Sequence, residues 1–472
     1  MNTAKDYEKY RNKIEYMKEY RTALNAATAS KRDPNANVEH KNIVTAAGEM
    51  MKEDSIGVNR LLMCDKLLEL YGKEWPDMYL KDIESHLLYK HDETSLFPYC
   101  VSITMYPFLF EGTESIGGSS KAPKHLDSFC GEFINLVFNI AAQFAGAVST
   151  PEFLMYFDYF LRKEYGDQYY LNSNLVVTSP IVLREQTIED VINAKLQQIV
   201  YSINEPAAAR NYQAVFWNIA SFDEPYFKGL FDGFVFPDGT TPIWESLDWL
   251  QRHFMNWFNN ERCKKILTFP VETMNLLNNN SEYVYKPYFE FTAEMYSKGH
   301  SFFTYTSNSV DSLASCCRLK NELVDNTFSY TLGAGGVSTG SKGVMTININ
   351  RLVQDATKSG KDISQAVKDV VERVHKYLIA YNEIKKDDFA SGLLPAYDAG
   401  YITLEKQFLT VGINGFVEGA ESLGIEPTTN EEYFEYGEKI LKPIYELNKR
   451  DRTKEIMFNT EFVPKMCGHK AA

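Results

Sequence analysis

Two adjacent cysteines, Cys316 and Cys317, lie in the stretch HSFFTYTSNSVDSLASCCRLKNE (His300 to Glu322). A glycine-rich, strand-like segment, TLGAGGVSTGSKGVMTININ (Thr331 to Asn350), follows almost at once. A thiol at a loop tip inside a barrel acts as a one-electron oxidant only where water and stray reductants are kept out, and a buried hairpin would do that. The pattern points to radical chemistry at sulfur. The plainer reading is that a free cysteine behaves as a small apolar side chain and packs in a core. Neighbouring cysteines rarely bridge each other, because the disulfide dihedral is hard to reach across one peptide bond. Cys316 and Cys317 are therefore expected as free thiols.

The other reactive residue types are sparse. Seven cysteines, at 64, 100, 130, 263, 316, 317 and 467, show no regular spacing and no C-x-x-C, so neither a disulfide framework nor a local cysteine zinc site is expected. Cys467 and His469 supply two ligands at most, and no metal site is assigned. The run GGVSTGSK (Gly335 to Lys342) has the glycines of a phosphate loop, but serine precedes lysine where that loop needs the reverse order. GAGGVS (Gly333 to Ser338) lacks the third glycine of a dinucleotide turn, so a tight turn between strands accounts for these glycines.

A chain of 472 residues with 44% hydrophobic and 24% charged residues buries a large core, as two or three domains or one large barrel. Its net charge of −14 argues against a nucleic-acid surface, which needs a basic stripe to displace counterions. Free nucleotides stay compatible, since a small anion needs only a few local donors. The N-terminus is a charged helical pattern, neither a signal peptide nor a membrane span, and the cytoplasm is the expected compartment.

The elements that must carry these residues read as α/β. Asp6 to Ala27 and Ile43 to Tyr89 have helical spacing, with a polar interruption between them. His91 to Thr113 is aromatic and β-branched and reads as buried strand, followed by a Gly/Ser/Pro loop and a helix from Leu126 through Ala147. Short apolar runs such as QAVFWNIASF and VMTININRL read as strands between helices, and Asp362 to Lys386 and Asn430 to Asn448 read as helices. Without repeats or long linkers, one compact unit is the economical reading.

Long blocks in fixed order carry a resemblance: His91 to Phe160, NEPAAARNYQAVFWN (Asn204 to Asn218), TFPVETMNLL (Thr268 to Leu277), His300 to Glu322, TFSYTLGAGGVSTGSKGVMTINI and DRTKEIMFNTEFVP (Asp451 to Pro464). Together they resemble the anaerobic, glycyl-radical ribonucleoside-triphosphate reductases over nearly the whole chain. The resemblance implies a ten-stranded α/β barrel of two antiparallel five-stranded halves, with a central finger loop and surrounding helices. It implies an N-terminal helical part over 1–90, the barrel over 91–464 and a tail outside the family pattern over 465–472.

By the same resemblance, Cys317 is the thiyl cysteine that takes the ribose 3′ hydrogen, and Cys100 in FPYCVSI is the reducing thiol on the opposite face of the sugar. The strand pattern around Cys100 leaves it facing either the core or a barrel interior. His91 and Asp92 match a stretch lining the family's substrate pocket, although a histidine ahead of a strand is commonly a cap or surface residue. Asn459 and Thr460 in NTEFVP match the start of a phosphate-binding segment, and Ser341 stands where some relatives carry asparagine. Gln143 and Gly146 in QFAG resemble a loop near nucleotide contacts, with simple helix packing through small residues as the alternative.

After Pro464 the chain departs from the family. It reads KMCGHKAA, without the zinc-binding cysteine quartet or the Arg-Val-x-Gly-Tyr loop that stores the glycyl radical. The expectation is a truncated or split catalytic subunit that reduces ribonucleoside triphosphates only when a second polypeptide supplies that radical. The implied partners are a radical-SAM activating enzyme with its S-adenosylmethionine and iron–sulfur cluster, dNTP or ATP effectors, and a second copy of the chain in a homodimer. The N-terminal ATP-cone of many relatives is absent. Two other readings are a pyruvate formate-lyase-like acyltransferase, disfavoured by the Arg318-Leu319-Lys320 that follows the cysteine pair, and a non-catalytic nucleotide-binding fragment.

Overall fold

The computed structural model describes residues 10–23, 42–177, 185–205, 214–279, 282–310, 312–315, 319–322 and 337–463. Its strands are β1 (Leu88–Lys90), β2 (Cys100–Ser102), β3 (Val148–Ser149), β4 (Val176–Val177), β5 (Gln186–Thr187), β6 (Trp217–Phe222), β7 (Val271–Asn279), β8 (Glu282–Tyr283), β9 (Phe303–Ser307), β10 (Ser312–Ser315), β11 (Leu319–Glu322), β12 (Thr339–Asn348), β13 (Gln407–Asn414) and β14 (Met457–Phe462). Ten of them form one sheet. β2, β3, β6, β7 and β9 run parallel to their neighbours, as do β12, β13 and β14, and the two groups meet antiparallel where β2 pairs with β12.

This agrees with the expected α/β sheet of two opposed halves, but the halves differ in size. The first holds five parallel strands and the second three, among the described residues, with β1 and β8 as short antiparallel additions. β1 and β2 pair with successive stretches of β12, so the chain from Leu88 to Ser102 is one interrupted strand.

β12 and β13 of the second half are buried on both faces, as a covered parallel arrangement requires, while the edge strand β14 is only partly buried. One face is packed under helices, and the main ones are α1 (Arg11–Thr22), α2 (Ile43–Tyr71), α3 (Glu74–Glu84), α4 (Leu126–Ala141), α5 (Phe153–Tyr165), α6 (Ile188–Asn204), α7 (Glu224–Phe231), α8 (Trp244–Arg262), α9 (Lys286–Ser297), α10 (Ile349–Ser359), α11 (Ile363–Ala390), α12 (Phe416–Ser422) and α13 (Glu431–Arg450). Met345, Ile347, Leu409, Val411 and Ile413 project into a core shared with Val367, Val371 and Leu378 of α11. Met63 and Leu67 of α2 and Tyr79 of α3 belong to that same core, so the N-terminal helices are built onto the second half. A second, aromatic core lies over the first half, where Phe129, Phe133, Phe153 and Phe160 stack around Trp217. Each such side chain contributes about 1.5–3 kcal/mol on burial.

The other face meets the two-stranded hairpin β10–β11, in which Ser312 pairs with Glu322 and Ser315 with Leu319. β10 lies beside β7, and β11 lies beside β12 and β14. β7 and β14 belong to opposite halves of the sheet, so the sheet curls around this hairpin. Cys316, Cys317 and Arg318, which join its strands in sequence, lie outside the described residues, as do Cys467 and His469.

Three expected elements are divided differently. The helix expected over Ile43 to Tyr89 breaks at Gly72, whose φ of 96° a side chain would resist, and resumes as α3. The buried strand expected over His91 to Thr113 is only β2, because residues 91–99 form a loop and Pro107 starts a helical turn. The helix expected from Leu126 to Ala147 stops at Ala141, and the QFAG stretch becomes the turn into β3. Among the described residues no helix is long and apolar enough to cross a membrane.

Just after β3, the buried Glu152 accepts from the Met105 N–H at 2.7 Å and faces the Thr104 hydroxyl at 3.3 Å, tying together the chain after β2 and β3. Burial pushes its carboxyl up from 4.5 to about 7, against the lowering effect of those hydrogen bonds. The folded chain thus holds this proton more tightly than the unfolded one, so stability falls as pH rises between about 4.5 and about 7. Glu152→Gln removes the titration. In urea denaturation the wild type should lose about 3 kcal/mol relative to Glu152→Gln across that window, and parallel pH profiles would contradict the assignment.

Candidate active site

Cys100 opens β2, fully buried, and pairs across the antiparallel junction with Ser341 of β12. Three close approaches fix it there. Gly340 has φ 147°, and a Cβ on it would lie 2.4 Å from the Cys100 carbonyl oxygen. A Cβ on Gly146 would lie 3.0 Å from the Tyr99 carbonyl oxygen and 3.3 Å from the Cys100 Cβ. Gln407, at the start of β13, donates from Nε2 to the Cys100 carbonyl at 3.0 Å, while its Oε1 accepts from the Tyr397 hydroxyl at 2.5 Å. Ala147 and Phe216 pack beside Cys100.

From Ser341 a chain of side chains crosses the three strands of the second half. Ser341 Oγ lies 2.8 Å from Thr410 Oγ1, and Thr410 donates to Asn459 Oδ1 at 2.7 Å. The Ser341 hydroxyl also lies 3.2 Å from the Gly343 carbonyl, a second acceptor for its one proton. All three side chains share the face opposite the helix-covered one, because β13 alternates Leu409 and Val411 into the core with Thr410 away from it. The relay ends on the Asn459 amide, whose buried Nδ2 has no hydrogen-bond partner. Thr339 Oγ1, two residues from Ser341 on the same strand face, is likewise buried without a partner. Buried polar atoms left unpaired cost about 1–3 kcal/mol each, so two of them on the wall that carries the thiol mark a place built for a polar ligand.

His91 stands at the other end of this wall. Its Nε2 lies 2.8 Å from Thr346 Oγ1, and Tyr89 and Tyr99 meet its ring edge-on. Thr346 is aligned with Gly412, four steps beyond the Phe408 that Ser341 faces. At about 3.3 Å per step, Thr346 lies roughly 13 Å along the strand from the level of Cys100, while His91 itself, whose N–H donates to the Val344 carbonyl, starts nearer and reaches Thr346 by its ring. Asp92 follows with φ 51°, in the left-handed region that a non-glycine residue seldom adopts.

The remaining expected site residues sit elsewhere. Thr460 faces the helices, where its hydroxyl accepts from Asn448 Nδ2 at 2.8 Å; a strand that turns Asn459 inward must turn its neighbour outward. Gln143 is engaged structurally, its Oε1 accepting from the Ala396 N–H at 2.9 Å. Gly146 serves Cys100 by its lack of a side chain. Cys317 lies outside the described residues. Thr410, Gln407 and Gly340 escape the sequence reading; the one available signal is a polar threonine inside the apolar run QFLTVGIN.

A curled, mostly parallel sheet with a hairpin inside it is the architecture of the ribonucleotide reductase barrel. The sequence model of the family "Anaerobic ribonucleoside-triphosphate reductase" matches residues 48–466, and the chain belongs to that family. It is the catalytic subunit of such an oxidoreductase, which also decides against the acyltransferase reading of the cysteine pair. The anaerobic ribonucleotide reductase from Thermotoga maritima with citrate in its active site is 26% identical, with TM-score 0.77, covering 90% of this chain and 76% of that one. The same enzyme in complex with dATP and CTP is 27% identical, with TM-score 0.76, covering 89% and 68%. Another solved anaerobic ribonucleotide reductase is 26% identical, with TM-score 0.80, covering 96% and 70%. No curated protein matches the chain.

Gly146→Ala forces its new methyl against the Cys100 Cβ and should destabilise the chain by about 1–3 kcal/mol in chemical denaturation. An unchanged midpoint would mean that Cys100 has room to move.

Proposed function

We propose that the chain holds a ribonucleoside triphosphate against the inner face of the sheet, with the ribose between Cys100 and Cys317. The carrying observation is the wall itself: a buried thiol paired with Ser341, and a hydrogen-bonded line through Thr410 to Asn459, whose buried Nδ2 has no partner. Cys317, in the sequence between β10 and β11, takes the 3′ hydrogen as a thiyl radical. The 2′ hydroxyl then leaves as water, and Cys100 supplies reducing hydrogen from the opposite face. The two electrons and two protons consumed come from formate or a dithiol protein. His91 and Asp92, further along the same wall, contact the bound nucleotide. Ser341 and Asn459 orient the sugar, and Thr460 keeps β14 in place from behind.

The thiyl radical needs a stored oxidant. We assign it to a glycyl-radical segment, with the radical generated by a radical-SAM activating enzyme that carries S-adenosylmethionine and an iron–sulfur cluster. By the family resemblance, zinc belongs with that segment. The chain works in the cytoplasm as a homodimer under dNTP and ATP control.

With the radical segment and activase added, Cys317→Ser and Cys100→Ser should each lower deoxynucleotide formation by more than about a thousandfold, because residues acting in one reaction fail as a unit. Cys316→Ser should keep activity within about threefold. An active Cys100→Ser enzyme would contradict the assignment, and dependence on both Cys316 and Cys317 would return acyl transfer to consideration.

A further inference from the structure

The loop that joins His91 to Cys100 is held from the helix side of the sheet. Asn59 of α2 is buried, and its Nδ2 donates to the carbonyls of Glu93 at 2.7 Å and Ser95 at 2.6 Å. Arg60 closes a forked pair on the Glu93 carboxylate at 3.1 and 3.0 Å, to which Tyr79 of α3 adds its hydroxyl at 3.4 Å. From α11, the buried Lys385 donates to the Leu96 carbonyl at 2.6 Å and Tyr381 to the Phe97 carbonyl at 3.0 Å. Lys90 donates to the His91 carbonyl at 3.3 Å, its ammonium 4.2 Å from the centre of the Tyr381 ring.

Five loop carbonyls between His91 and Phe97 are thus satisfied by side chains where a strand would use a neighbouring strand. Apart from a turn closed by the Ser95 N–H on the Asp92 carbonyl, and backbone bonds from His91 and Tyr99 to β12, the loop's path is set by these donors. Cys100 follows Phe97 by three residues and has little slack, with Gly340 and Gly146 pressed against it. A displaced loop therefore displaces the thiol.

We propose that Asn59 and Arg60 of α2 are positioning residues for Cys100, which makes the N-terminal helices an input to the site. α2 is itself held at its other end by α1, through Tyr20 with Thr45 and Lys13 with Asp54. A change in how α1 seats on α2 reaches the thiol through Asn59 and the loop. The proposal rests on Cys100 being a reacting group.

The test compares two fully buried thiols, Cys100 and Cys130 of α4, the second far from the loop in the aromatic core. In native protein treated with iodoacetamide and read by peptide mass spectrometry, Asn59→Leu should raise labelling of Cys100 at least tenfold relative to Cys130. Arg60→Met should raise it at least threefold, and serves alone if Asn59→Leu does not fold. In enzyme supplied with radical segment and activase, the same substitutions should lower kcat at least fivefold with KM for CTP within twofold. A rise in both thiols together, no rise in either, or a raised ratio with unchanged kcat overturns the proposal. The labelling contrast needs no turnover, so its failure is distinct from a failure of the reductase assignment.

Discussion

The antiparallel junction of β2 with β12 is the constraint on which the site depends. It is where the two parallel groups of strands meet, and it sets Cys100 of one opposite Ser341 of the other. Strand alternation then does the rest. Once Ser341 faces inward, the register with β13 and β14 places Thr410 and Asn459 on the same face, and the apolar residues between them enter the helix-covered core. A slip of β2 by one residue at the junction would turn the thiol to the helix-covered face and Val101 to the inner face.

Close packing holds that register. Gly340 and Gly146 let backbone approach Cys100 where any Cβ would collide, and Gln407 occupies its carbonyl. The site's rigidity comes from backbone contacts around the thiol, while its polarity comes from hydroxyl and amide groups. Ser341, Thr410 and the Asn459 amide form one hydrogen-bonded line across the three strands. Such a wall orients an alcohol-rich ligand through hydroxyl and amide groups.

The sequence made some of this legible and hid the rest for physical reasons. The long amphipathic helices α11 and α13 followed their patterns to within a few residues at each end, because helical period and caps are local. The blocks around Cys100 and the cysteine pair pointed to the family that the chain belongs to. Strand pairing is non-local, so neither Thr410 nor Gln407 announces that it faces Cys100. The glycines before Lys342 read as a turn, yet Gly340 and Gly343 lie inside β12, one pressed on Cys100 and the other on Tyr381. Asn459 and Thr460 look equivalent in sequence, and only the pleat separates inward from outward. QFAG reads as the end of a helix or a ligand loop, and its function is to leave space.

The account stands on one arrangement, a sugar held between two sulfurs with the Asn459 amide on it. A crystal structure of the chain with CTP bound would test it most directly. The prediction is electron density for a ribose between Cys100 and Cys317, with Asn459 Nδ2 donating to one of its hydroxyls. Packed side chains between the two sulfurs, or CTP bound away from the inner face, would contradict it.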